Sequence, residues 1–319
     1  MPAFNLPASS FIVHPSSIIL LLFLCAAVLP GHSPLPAKEP SAVPERLEDY
    51  AAEKIRLVVR IDDIGFNHAS NLAMQRLNDE NGVVTAVSVL VNTPWLDQAV
   101  ELLADNPHVS IGVHTCLNAE WKYYRWGPVL PAERVPSLVD QWGNFFGTRV
   151  DMMNNNPSLD EIEAEIRAQI DLALAKGLKL SYLDHHMGAA VQTPEMRERF
   201  EKIAADYGLG ISRYFGETAR PVIYFEPAVT KTEFLLAEID KLTEPGIYLL
   251  VVHPAVKTPE LEALRDLNAT GPKDMADHRQ AELDALCDPR LRELLDRKGI
   301  ELVGYDLLQQ HYLDQMRRP

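Results

Sequence analysis

From Ile55 onward the chain alternates short apolar, β-branched runs with stretches of helical periodicity, and this alternation leaves few architectures open. It is the sequence form of repeated βα units around a buried parallel sheet. The runs 55–61, 84–91, 109–114, 180–184, 221–225, 247–252 and 300–303 read as strands. Helical patterns cover 68–80, 95–105, 158–176, 195–207, 230–243, 259–266, 276–286 and 289–298. Ser158 with Glu161 forms a capping-box pattern at the start of the third helix, and Gly177 is placed to stop it. Seven strands with intervening helices suit a closed or distorted (β/α) barrel or an open doubly wound sheet. Both gather functional side chains at the C-terminal ends of the strands.

The 319 residues, 47% of them hydrophobic, can bury one barrel-sized core, expected here over 47–319. A formal charge of -15 argues against a nucleic-acid surface and disfavours a polyanionic ligand. Ile18–Leu29 is an apolar stretch of 12 residues, shorter than the roughly 20 a bilayer span requires. It reads as the core of an export signal over 1–29, with cleavage near Ala27, followed by a proline-rich tether over 30–46. The expected location is therefore periplasmic or extracellular, with membrane association only through the N-terminal segment. Past that segment Cys116 and Cys287 are too few for a disulfide framework and lack the spacing of a cysteine zinc site. No signal for an oligomeric state is visible, and neither a Gly-x-Gly-x-x-Gly nor a Walker loop is present.

Chemistry-bearing residues instead collect at the ends of the apolar runs. Asp62 and Asp63 end the first, His114 the third, Asp184, His185 and His186 the fourth, and His253 the run Ile247–Val252. Adjacent carboxylates repel unless a cation sits between them. One carboxylate and two imidazoles suit a catalytic divalent metal such as zinc, cobalt, nickel, iron or magnesium, for which Asp63, His114 and His186 are the expected ligands. Either His185 or His186 satisfies the pattern. Asp62 is then free to act as general base, Asp184 to orient a ligand, and His253 to act as general acid. His68 and His278 fall on helical stretches and are expected to face solvent. The region 115–157 has no strong period and is too long for an ordinary connection, so it reads as an excursion over the barrel mouth. Its aromatics are either a loop mini-core or sugar-stacking platforms. Trp121, Trp126 and Arg125 are the expected substrate-binding residues, Arg125 alternatively pairing with Asp62.

These residues resemble the YdjC/ChbG family of carbohydrate deacetylases, relatives of the NodB-like polysaccharide deacetylases. The likeness is carried by Arg60-Ile61-Asp62-Asp63-Ile64-Gly65, Gly112-Val113-His114, Glu120 to Pro128, Tyr182-Leu183-Asp184-His185-His186-Met187-Gly188 and Val252-His253-Pro254, over about Leu57 to Leu307. The chain departs from the family pattern at Ala255, where Gly is usual, and at His185, where a small polar residue is usual. The resemblance implies a distorted (β/α) barrel, a metal held by Asp63, His114 and His186, Asp62 as base and His253 as acid. It further implies hydrolysis of the acetamide of an N-acetylated oligosaccharide or glycolipid. A mononuclear iron oxygenase uses the same ligand types but needs no second carboxylate beside them. A carbohydrate-binding protein without turnover would have no use for so costly a polar set.

Overall fold

The computed structural model describes residues 43–104, 106–269 and 271–319. The expected export signal and most of the tether lie outside them. The helices are α1 (Leu47–Glu53), α2 (His68–Asp79), α3 (Leu96–Ala104), α4 (Arg149–Asn154), α5 (Leu159–Ala175), α6 (Pro194–Tyr207), α7 (Lys231–Asp240), α8 (Pro259–Ala263), α9 (Met275–Cys287), α10 (Pro289–Lys298) and α11 (Tyr305–Tyr312). The strands are β1 (Ile55–Ile64), β2 (Ala86–Val89), β3 (Ser110–Thr115), β4 (Leu180–His185), β5 (Gly210–Ile211), β6 (Gly246–Val252) and β7 (Glu301–Leu302). They form one parallel sheet in the order β5-β4-β3-β2-β1-β6, with β7 paired to the start of β1.

Nine of the ten β1 residues are buried, so this strand is covered on both faces as a parallel sheet requires. Alternation sorts its side chains. Leu57, Val59 and Ile61 belong to the large core beneath the surrounding helices. Val58, on the other face, packs with Ala86, Tyr182, Ile247 and Leu249, and with Leu47 and Tyr50 of α1 and Tyr305, Leu308 and Tyr312 of α11. Toward the strands' C-terminal ends the period of two that starts from these residues reaches polar ones: Arg60 and Asp62, Ser88, Asp184, and beyond β6 His253. The inner face is therefore apolar at one end and polar at the other, and the apolar half anchors the costly polar half. Gly112 of β3 belongs to this arrangement, because a Cβ there would lie 2.5 Å from the Tyr182 ring.

The sheet curls until its edges are bridged by a single irregular segment. The Ser212 N–H bonds to the Leu183 carbonyl of β4 at 3.0 Å, and Thr218 exchanges 2.8 Å bonds with Ile247 and Leu249 of β6. A distorted (β/α) barrel of seven strands results. One expected strand is corrected: 221–225 forms no ladder, because Thr218 already occupies the β6 edge and Pro221 offers no N–H. Val222 and Phe225 of that run are exposed. The fifth strand is instead the pair Gly210–Ile211, too short to leave a periodic signal. At α5 the Ser158 hydroxyl accepts from the Glu161 N–H as expected, but the Glu161 carboxylate turns away to Ser137, so the box is half formed. Among the described residues no helix is long and apolar enough to cross a membrane.

Candidate active site

In a regular strand Asp62 and Asp63 would point to opposite faces. The β1–β2 register shifts between Ile61 and Ile64, and Asp63 takes a left-handed conformation (φ 66°) that L-residues other than Asn and Asp seldom adopt. Gly65 (φ 89°) completes the turn, its N–H bonded to Asn71 Oδ1 at 2.9 Å. A Cβ on Gly65 would approach the Leu90 carbonyl to 2.9 Å, so glycine is required on space as well as on φ. The bulge thereby places both carboxylates in one cleft of about 370 Å³ at the barrel mouth.

Three ligand atoms converge there. Asp63 Oδ1 lies 3.6 Å from His114 Nε2 and 3.5 Å from His186 Nδ1, and the two imidazole nitrogens are 3.2 Å apart. Asp63 Oδ1 is buried with no hydrogen-bond partner among the described residues. A cation with bonds of about 2.0–2.2 Å spans ligand pairs of about 3.0–3.5 Å, so the three residues fit a divalent metal as they stand. Each imidazole has a carboxylate behind it that favours the lone pair facing this point. His114 Nδ1 is 2.8 Å from Asp184 Oδ2, off the ideal hydrogen-bond direction, and His186 Nε2 is 2.9 Å from Glu120 Oε2. Of the two neighbouring histidines it is His186 that faces the site. His185 lines the cleft with its ring edge-on to Phe200, and burial pushes its pKa down.

Asp62, His114 and Asp184 also cluster closely enough to suggest a second metal group. Arg60 already supplies its positive charge. The guanidinium bonds both Asp62 oxygens, Nε to Oδ1 at 2.8 Å and Nη2 to Oδ2 at 2.7 Å, and Nη2 lies 2.9 Å from Asp184 Oδ2. Burial pushes the Asp184 carboxyl up, but Arg60 and His114 outweigh it and hold the group well below the usual range. Asp63 behaves likewise: burial is overcome by Arg279, whose Nη2 bonds Asp63 Oδ2 at 2.6 Å, and by His186. For His186 burial is opposed by Glu120 and Asp63, and the imidazole pKa ends well above its ordinary value. Opposite this set, His253 Nε2 stands 3.9 Å from Asp62 Oδ2.

A family model described as YdjC-like protein matches residues 56–297. The chain belongs to the YdjC-like family. This YdjC-like chain is 30% identical over 261 residues to a protein of Thermus thermophilus named carbohydrate deacetylase, covering 75% of this chain and 89% of the relative. A Brevibacillus brevis protein of the same name is 28% identical over 265 residues, covering 80% and 100%. Among solved structures, an Enterococcus faecalis V583 protein provisionally described as a cellobiose-phosphate cleavage protein superposes with a TM-score of 0.67 at 23% identity. That match covers 80% of this chain and 99% of the other, and it bears on the fold.

Within this YdjC-like site the residues expected to bind substrate separate. Trp121 lines the cleft, its backbone bridged to Asp266 across the mouth. Trp126 does not line it: the indole is buried behind His186 and Phe66, with Nε1 directed at Cys116 Sγ 3.3 Å away. Arg125 is also corrected. Its guanidinium is spent on the Ala119 and Phe145 carbonyls and on Asp140, which pins the excursion, while Asp62 is paired by Arg60. The excursion aromatics divide, Phe145 and Trp126 buried as a mini-core and Tyr123 and Trp142 exposed. His68 stacks on Trp95, and His278 is buried beside α9's neighbours instead of facing solvent. Glu120, Arg279 and Arg60 were not among the expected site residues. Only Glu120 and Arg60 carried a signal, as members of the quoted family segments. The Ala255 departure is accommodated, with its methyl buried and its N–H on the Arg279 carbonyl at 3.2 Å.

Proposed function

We propose that this chain is a metal-dependent hydrolase that removes the acetyl group from the nitrogen of an N-acetylated carbohydrate. The observation that carries the reading is the convergence of Asp63 Oδ1, His114 Nε2 and His186 Nδ1 within 3.6 Å of one another, beside a second carboxylate held by Arg60. The names of the curated relatives support the deacetylase activity and the carbohydrate substrate. A divalent cation held by Asp63, His114 and His186 would supply electrophilic polarisation of the acetyl carbonyl and a more acidic water.

Asp62 takes the proton of the attacking water, its carboxylate plane fixed by the two Arg60 bonds. Water adds to the acetyl carbon, and collapse of the tetrahedral adduct breaks the C–N bond. An amine leaves poorly as an anion, so a proton must reach the nitrogen; His253, across the cleft from the ligands, donates it. The test is a set of variants with metal content and acetate release measured on each. Asp62→Asn is expected to keep one bound metal and lose turnover, His253→Ala to keep the metal with a measurable residual turnover about 10²- to 10⁴-fold lower, while His114→Ala loses the metal itself. Turnover near that of the wild type in Asp62→Asn would overturn the assignment of the base.

A further inference from the structure

Among the described residues the ring of His253 has no hydrogen-bonding orienter. Its Nδ1 is buried without a partner, and Nε2 is 3.9 Å from the nearest Asp62 oxygen. A proton donor must nevertheless be held in line with the leaving nitrogen. What fixes it reaches it through the backbone and through packing. The His253 N–H donates to Glu282 Oε2 of α9 at 2.6 Å, and the Tyr224 ring meets the imidazole edge-on at 5.5 Å between centroids.

Both supports end on one side chain. Lys231, at the start of α7 and fully buried, bonds Glu282 Oε1 at 2.8 Å and the carbonyls of Ile223 and Tyr224 at 2.7 and 3.1 Å. Its three N–H groups therefore have three partners, and the Glu282 carboxylate is shared between the lysine and the histidine backbone. Burying such a pair is a poor way to gain stability, since apolar side chains of similar volume often serve as well. We propose that Lys231 and Glu282 are positioning residues that hold His253 in place for proton transfer; this rests on His253 being the donor named above. Helix α9 carries Arg279 one turn before Glu282, and Arg279 bonds Asp63 at 2.6 Å. One helix thus sets the spacing between the metal-ligand carboxylate and the proton donor.

A purely structural pair would depress activity whatever stands at position 253, whereas a positioning pair acts only through the imidazole. The experiment is a double-mutant cycle on the full chain, with acetate release from N-acetylglucosamine oligomers, KM, bound metal and thermal unfolding read for each variant. Glu282→Gln is expected to lower kcat about 10- to 100-fold with KM within about twofold and metal content unchanged. In a His253→Ala background the same substitution is expected to change kcat by less than about twofold. Tyr224→Leu, which leaves the buried pair intact, should show a smaller loss with the same non-additivity, and it takes the place of Glu282→Gln if that variant does not fold. Equal losses in both backgrounds, or no loss in either, overturn the proposal. A wild-type protein that releases no acetate overturns the parent reading, and this one with it.

Discussion

Glu120 is the sharpest test of how the candidate metal centre is built. It touches no expected reacting atom, yet its carboxylate is buried 2.9 Å from His186 Nε2. In Glu120→Gln the amide oxygen can still accept the imidazole N–H, so geometry is kept while the charge that strengthens the ligand is lost. Outer carboxylates of this kind are worth about 10- to 100-fold in metal affinity, or about 1.4–2.8 kcal/mol. A proton competes for the same nitrogen, because Glu120 and Asp63 overcome burial and hold the His186 pKa well above its ordinary value in the metal-free protein. Only neutral imidazole binds metal, so wild-type affinity must fall as pH drops through that raised pKa, by up to about tenfold per unit. The variant weakens the competition along with the assistance, since Asp63 still raises the imidazole pKa. Competition titrations with a chromophoric chelator over a range of pH should therefore show a larger loss toward the alkaline end, a smaller loss toward the acid end and a shallower slope than the wild type. A curve parallel to that of the wild type, or a loss that grows toward acid pH, would refute the reasoning.

Arg279→Met should destabilise the metal-free protein by about 3–5 kcal/mol, since it strands the buried Asp63 carboxylate, and should cost less with metal bound; chemical unfolding with and without chelator reads the difference. Gly112→Ala should lower stability by about 1–3 kcal/mol and reduce the thermal midpoint, because its methyl would sit 2.5 Å from the Tyr182 ring; an unchanged midpoint would mean the ring moves freely. Asp184→Asn should weaken metal binding through His114 and also loosen Arg60 from Asp62, so that kcat falls further than metal occupancy explains, as assays at saturating metal would show.

How far the sequence could be read follows from what a period can encode. Continuous apolar runs mark buried parallel strands, so β1, β3, β4 and β6 and the chemistry at their ends were legible, His114 and His253 among them. The choice between His185 and His186 was not, since the run Leu180–Asp184 does not say which of its faces is the inner one; once Tyr182 is seen to face inward, the period of two puts Asp184 and His186 with it. The left-handed Asp63 likewise carries no glycine to announce it. Arg279 is 216 residues from the carboxylate it neutralises and sits on a helix whose pattern looks like any surface helix. Arg125 and Trp126 misled because an aperiodic excursion gives no phase by which to tell the cleft face from the side that pins the loop. Helices α1 and α11 are short, at 7 and 8 residues, and their tyrosines reveal their purpose only once folded against Tyr182.

The most direct test of the central claim is acetate release from N-acetylglucosamine oligomers by the purified protein, stripped with chelator and then reloaded with one equivalent of zinc, cobalt or nickel. The account predicts no acetate from the stripped protein, release restored by a single equivalent of at least one metal, and none from Asp62→Asn carrying the same metal. Equal release before and after stripping would contradict it.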